Sequence, residues 1–92
     1  MQNDLRILLV EDDSNTQKLS KRILSRFGNV DAASSKEEAR SLLSSKIFDV
    51  AFLDLNLNGE LDGLNLIKLT QEHRTYPVVV SVRQIRELFK NL

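Results

Sequence analysis

Asp54 stands at the end of a short apolar run in the stretch DVAFLDLNLNGELDG, residues 49–63. An apolar strand buried on both faces keeps an ionised carboxylate in its middle only at a large cost, whereas at its mouth the charge stays hydrated. The carboxyl ends of strands in parallel α/β sheets are where ligands and reactive groups collect, so this position suggests chemistry. The plainer reading is that Asp54 begins the Asn/Gly/Asp turn that follows it. A second acidic cluster, Glu11, Asp12 and Asp13, follows the apolar run LRILLV at residues 5–10. Where the two corners adjoin, Glu11, Asp12 and Asp54 surround one pocket, and their mutual repulsion calls for a cation. Oxygen-only ligation with few side chains and open positions suits Mg²⁺ better than zinc or calcium. The competing reading is that acids favour helix N-termini, as Asp12 and Asp13 do beside Ser14.

The elements that must position these groups follow from apolar spacing. Residues 5–10 form a first strand. Ser14 and Gln17 then have the spacing of a capping box, and Leu19, Ile23, Leu24 and Phe27 recur at helical intervals up to Gly28. Residues 30–33 make a weak second strand. Ser35 and Glu38 form another capping box, and Ala39, Leu42 and Leu43 supply the stripe of a second helix ending near Ser45. Ile47 and Phe48 are expected to pack the return into a third strand at residues 49–54. Residues 63–73 read as a third helix with Leu64, Ile67 and Leu66 inward. Pro77 heads a fourth strand at residues 78–82, and a last helix at residues 83–92 carries Ile85, Leu88, Phe89 and Leu92. Strands alternating with helices imply right-handed βαβ crossovers, hence an α/β, doubly wound parallel sheet with helices on both faces. In such a sheet the corners after the first and third strands meet where the winding reverses.

Composition narrows the function classes. Ninety-two residues are read as one domain, residues 1–92, and thirteen acidic against thirteen basic side chains leave no net charge. Neither a nucleic-acid nor an anionic-membrane footprint is expected. Cysteine is absent, which fits a reducing, cytoplasmic setting. No apolar segment approaches a membrane span, and residues 1–4 are polar, unlike a secretion signal.

The segment LLVEDD, the DVAFLD strand with its Asn/Gly/Asp loop, and the proline-led YPVVVSV strand together resemble the response regulator receiver domain of two-component signalling, in register over residues 5–82. The resemblance implies a flavodoxin-like receiver topology, here shortened to about four strands in the order 2-1-3-4. It implies that Asp54 accepts a phosphoryl group from a histidine kinase or phosphotransfer protein, that Glu11 and Asp12 hold Mg²⁺, and that the backbone carbonyl of Asn56 completes the metal site. Asp13 falls one place beyond the family's acidic pair and is assigned to the helix start.

Three departures from the family pattern bear on function. Asn58 stands where the family usually has proline, and the loop is one residue longer before Asp62 and Gly63. Ser81 lies one place before the position of the hydroxyl residue that hydrogen-bonds the phosphoryl oxygen in the family. It serves if the strand is shifted and is otherwise one polar residue in a strand. After the fourth strand the family continues with a helix, a fifth strand ending in a lysine followed by proline, and a final helix, but residues 83–92 resemble only that final helix. Lys68 and Lys90 lie on expected helices as surface charges, so the lysine is unmatched and phosphorylation is expected to be impaired. His73, beside Arg74 at a helix C-terminus, reads as a solvated residue favoured by the helix dipole. A fourth strand left at the edge, with no charge, bulge or internal proline, is expected to support a homodimer, edge to edge or by exchange of the last helix.

The leading expectation is thus a phosphoacceptor and not an enzyme. The alternative is a phosphorylation-independent dimerisation or interaction module derived from a receiver. A haloacid-dehalogenase-like phosphatase is disfavoured, since Asn56 occupies the place of that family's second aspartate.

Overall fold

The computed structural model describes residues 5–53 and 63–79. Strand and helix alternate throughout them: β1 (Arg6–Val10), α1 (Ser14–Leu24), β2 (Asn29–Ala33), α2 (Lys36–Ser45), β3 (Val50–Leu53), α3 (Gly63–Glu72) and β4 (Tyr76–Val79). The strands form one all-parallel sheet in the order β2-β1-β3-β4, the doubly wound arrangement expected of the sequence. The expected last helix, residues 83–92, lies outside the described residues.

Both faces of the sheet are covered, and the two-residue period of a strand decides which side chain goes where. Leu8, Val10, Ala33, Ala51 and Leu53 face α2 and α3, packing with Ala39, Leu43, Phe48, Leu66 and Leu69. Ile7 and Leu9 point the other way, against Leu24 of α1, with Phe27, Val30, Ala32, Val50 and Phe52 partly buried around them. This is why β1 reads as an unbroken apolar run from Ile7 to Val10: all four side chains are essentially inaccessible, on alternate faces. Burying each contributes about 1.5–3 kcal/mol relative to exposure. Gly28 closes the turn from α1 to β2, where a Cβ would overlap the Leu5 carbonyl oxygen that accepts the Asn29 amide at 2.8 Å.

The helix starts follow local hydrogen bonding, with one correction. Ser35 caps α2 as expected, its hydroxyl accepting the Glu38 amide at 3.2 Å, while the Glu38 carboxylate reaches back to the Ser34 amide at 3.1 Å. The expected box of Ser14 and Gln17 does not form. Asp13 is itself a strong N-cap one residue earlier, and its carboxylate accepts the Thr16 amide at 2.8 Å, so Ser14 becomes the first helical residue.

Two further expectations are corrected. Phe48 is buried at 3% exposure, but Ile47 is 74% exposed. The chain leaves α2 in an extended conformation at Lys46, and neighbours on such a chain project to opposite sides, so only one of the pair faces the core. The fourth strand begins at Tyr76, one residue before Pro77, which places a proline inside it. The Tyr76 amide donates to Asp49 on the β3 side, so the missing donor of Pro77 lies on the outer edge, where proline is tolerated. Residues 80–82 lie outside the described residues.

Helix α3 ends in a Schellman arrangement, with the Thr75 amide bonded to the Thr70 carbonyl at 2.9 Å and the Arg74 amide to Gln71 at 3.0 Å. Its left-handed position is filled by Arg74, φ 57°, where glycine is the usual choice. Thr75 then anchors the turn, its hydroxyl donating to the Phe48 carbonyl at 3.2 Å. Relief of the left-handed penalty, less the entropy glycine adds to the unfolded chain, predicts that Arg74→Gly stabilises the fold by about 0.5–1 kcal/mol. Urea denaturation checks this: the midpoint should rise with the slope unchanged, and a lower midpoint would contradict the strain.

Candidate functional site

Three consecutive acids leave the carboxyl end of β1, and each meets a different environment. The Glu11 amide extends the β1–β2 ladder by donating to the Ala33 carbonyl at 2.9 Å, which draws its side chain into the corner at 5% exposure. There Glu11 Oε1 accepts the Asp13 amide at 2.9 Å. Asp12 is exposed. Asp13 caps α1, as assigned from the sequence; its bond to the Thr16 backbone amide holds its carboxyl below the ordinary value of 3.8.

The corner is also tied sideways. Gln17 Nε2 donates to the Glu11 carbonyl and to Ser34 Oγ, each at 3.0 Å, linking the β1–α1 corner to the turn between β2 and α2. Reading Gln17 as a capping-box residue missed this role. The available signal was a long amide side chain one helical turn past the acids, directed back toward the strand end.

The partner corner is approached by β3. Val10 pairs with Leu53, so β1 and β3 are level at the last pair of their ladder, and the next residues in the chain are Glu11 and Asp54. Asp54, Asn56, Asn58 and Ser81 lie outside the described residues. Among the described residues no three His, Asp or Glu side chains come together to hold a metal ion. The pair at the end of β1, one carboxylate buried and held and the other exposed, is an all-oxygen donor set that fits a hard cation once a third ligand is supplied.

Lys68 is exposed on α3, as expected of a surface charge, and Lys90 lies outside the described residues. His73 is half-buried at the end of α3 and lines a cleft of about 630 Å³ with Arg6, Asn29, Asp31, Lys46 and Ile47. This cleft is at the amino ends of β1 and β2, the opposite end of the sheet from Glu11. Lys46 there pairs with Asp31 at 3.0 Å, both side chains substantially exposed, and contributes little to stability. No helix among the described residues is long and apolar enough to cross a membrane.

With a parallel 2-1-3-4 sheet and acids at the end of β1, the comparison with known proteins is decisive. A family model described as the response regulator receiver domain matches residues 7–89. The chain belongs to this family. It is 43% identical over 63 residues to the alginate biosynthesis transcriptional regulatory protein AlgB of Pseudomonas aeruginosa, a match covering 67% of this chain and 14% of AlgB. The receiver domain of NtrC4 from Aquifex aeolicus superposes with a TM-score of 0.68 at 28% identity, covering 84% of this chain and 65% of that one. The receiver domain of the hybrid histidine kinase CckA, at 22% identity, shares the fold with a TM-score of 0.67 over 92% of this chain and 95% of that one. The receiver family is thus a signalling family, and the match to AlgB is confined to a small part of that protein's length.

The cap at Asp13 gives this corner a pH signature. Asp13→Ala lowers the thermal midpoint at neutral pH, whereas Asp13→Asn, which also caps, retains most of it. Because the folded-state pKa lies below 3.8, the stabilisation from Asp13 is complete above that value and is lost as pH falls through the lower, folded value. The melting points of wild type and Asp13→Ala should draw together as pH falls progressively below 3.8, and a gap that stays constant through the acid range would contradict it.

Proposed function

We propose that this receiver domain accepts a phosphoryl group on Asp54 from a histidine kinase or phosphotransfer protein. Mg²⁺ would be held by the carboxylates of Glu11, Asp12 and Asp54 and by the backbone carbonyl of Asn56. The observation that carries the reading is the level end of the β1–β3 ladder, Val10 against Leu53, after which the chain continues as Glu11 and Asp54. When bound, the metal offsets the charge that gathers as an anionic carboxylate approaches an anionic phosphoryl group.

In the transfer, an Asp54 carboxylate oxygen attacks phosphorus, the phosphorus–nitrogen bond to the donor histidine breaks, and its electron pair returns to the imidazole. The product is an acyl phosphate that a second step can hydrolyse. Ser81 would donate a hydrogen bond to a phosphoryl oxygen. Neither Lys68 nor Lys90 matches the family's lysine in sequence position, and a site without that fixed cation beside the developing charge would lose about 2–4 kcal/mol of stabilisation, so that modification would be slow or weakly coupled. In this reading the domain works in the cytoplasm and itself contacts neither nucleic acid nor membrane.

A second reading has its own observation. Among the described residues β4 is an edge strand, with Tyr76 71% and Val79 50% exposed. Such an edge favours homodimerisation independent of phosphorylation, through β4 or by exchange of residues 83–92. Pro77 weakens the edge-to-edge form by removing one outward donor.

Incubation with acetyl phosphate and Mg²⁺ separates the two. Wild type should gain the mass of one phosphate and Asp54→Asn none; no gain in wild type contradicts the first reading. Light scattering on the same samples tests the second, which requires a dimer in both proteins without phosphate. A clean monomer at tens of micromolar rules it out.

A further inference from the structure

Gln17 occupies the first part of α1, where a surface glutamine has no need of a partner, yet its amide nitrogen is doubly engaged. It donates at 3.0 Å to the Glu11 carbonyl and at 3.0 Å to Ser34 Oγ. The Ser34 amide is itself bonded to Glu38 of α2 at 3.1 Å, and the preceding residue, Ala33, accepts the Glu11 amide at 2.9 Å. The Glu11 residue is therefore gripped on both sides, its N–H by the strand next to it and its C=O by a side chain fastened to the neighbouring corner.

The consequence concerns Asp12. The Glu11 carbonyl belongs to the peptide that joins Glu11 to Asp12, so fixing its direction fixes the plane from which the Asp12 side chain departs. Two adjacent carboxylates repel one another and, without such a hold, relax apart whenever a cation between them leaves. A neutral amide suits this task because it restrains the backbone without adding a cation that would compete with the metal. Outer partners of this kind orient ligands and tune affinity in metal sites generally.

We infer that Gln17 is a positioning residue for the Mg²⁺ site, acting through the Glu11–Asp12 peptide and anchored by Ser34. The inference rests on the assignment of Glu11 and Asp12 as metal ligands. It adds a residue that touches neither the metal nor the phosphoryl group.

The test is Mg²⁺ titration by calorimetry on wild type, Gln17→Met, Ser34→Ala, the double variant and Glu11→Gln, with thermal midpoints measured in the absence of metal. Methionine matches glutamine in length and helix preference but cannot donate. Gln17→Met should weaken Mg²⁺ binding about tenfold, the lower end of what loss of such a partner does, while the metal-free midpoint stays close to wild type. Ser34→Ala should weaken binding less, and the double variant no more than Gln17→Met alone, since the two act as one unit. Unchanged affinity in Gln17→Met, or a lowered metal-free midpoint with unchanged affinity, overturns the inference. Should Gln17→Met not fold, wild-type affinity in Ser34→Ala overturns it. Glu11→Gln separates the two levels: if it too binds as wild type, the ligand assignment has failed and takes the role of Gln17 with it.

Discussion

The pairing of β1 with β3 is the constraint on which the rest of the molecule depends. Ile7 through Val10 alternate between two buried faces, and Val50 through Leu53 match them residue for residue. A slip of one residue would turn every side chain of β1 to the opposite face. A slip of two would keep the faces but move the strand ends apart by about 6.6 Å, two residues of rise. Double-sided burial therefore fixes the face of every β1 residue, and with the observed register it sets where β1 ends and Glu11 begins. Packing energy, spread over a core far from any reactive atom, is what locates the Glu11 carboxylate.

At the end of β1 the fold resolves a problem of like charge by giving three neighbouring acids different tasks. Glu11 is turned inward and held by the Asp13 amide, Asp13 is spent on capping α1, and Asp12 stays in water. Only the first two acids remain for a cation. Capping also sets the direction of α1, whose Gln17 returns to the Glu11 carbonyl, so the helix that Asp13 starts helps hold the residue two places before it. Strand register, helix cap and side-chain tie reinforce one geometry, the kind of consistency across levels that lets a short chain specify a site.

Much of this was legible in the residues. The runs LRILLV and DVAFLD, the Ser35 and Glu38 spacing and the alternation of strand with helix predict the parallel sheet, and the same motifs carry the resemblance that the family match then establishes. What was missed depends on single-residue geometry. Ser14 and Gln17 have the right spacing for a box, but Asp13 competes for the same role one position earlier, and spacing alone does not rank the two. Ile47 and Phe48 are both apolar, but the direction in which the chain leaves α2 decides which one is buried. Pro77 reads as a strand boundary until the side on which its missing donor falls is known, and Arg74 carries no local sign that a left-handed residue is required there.

The most direct test of the shared corner is paramagnetic broadening by substoichiometric Mn²⁺, which substitutes for Mg²⁺ at oxygen sites and broadens amide resonances steeply with proximity. The amides of Glu11, Asp12, Asp13 and Asp54 should disappear first and together, with those around His73 and Lys46 at the far end of the sheet unaffected. Broadening of residues 11–13 without Asp54, or centred on the cleft at the amino ends of the strands, would contradict a common metal site at the carboxyl ends of β1 and β3.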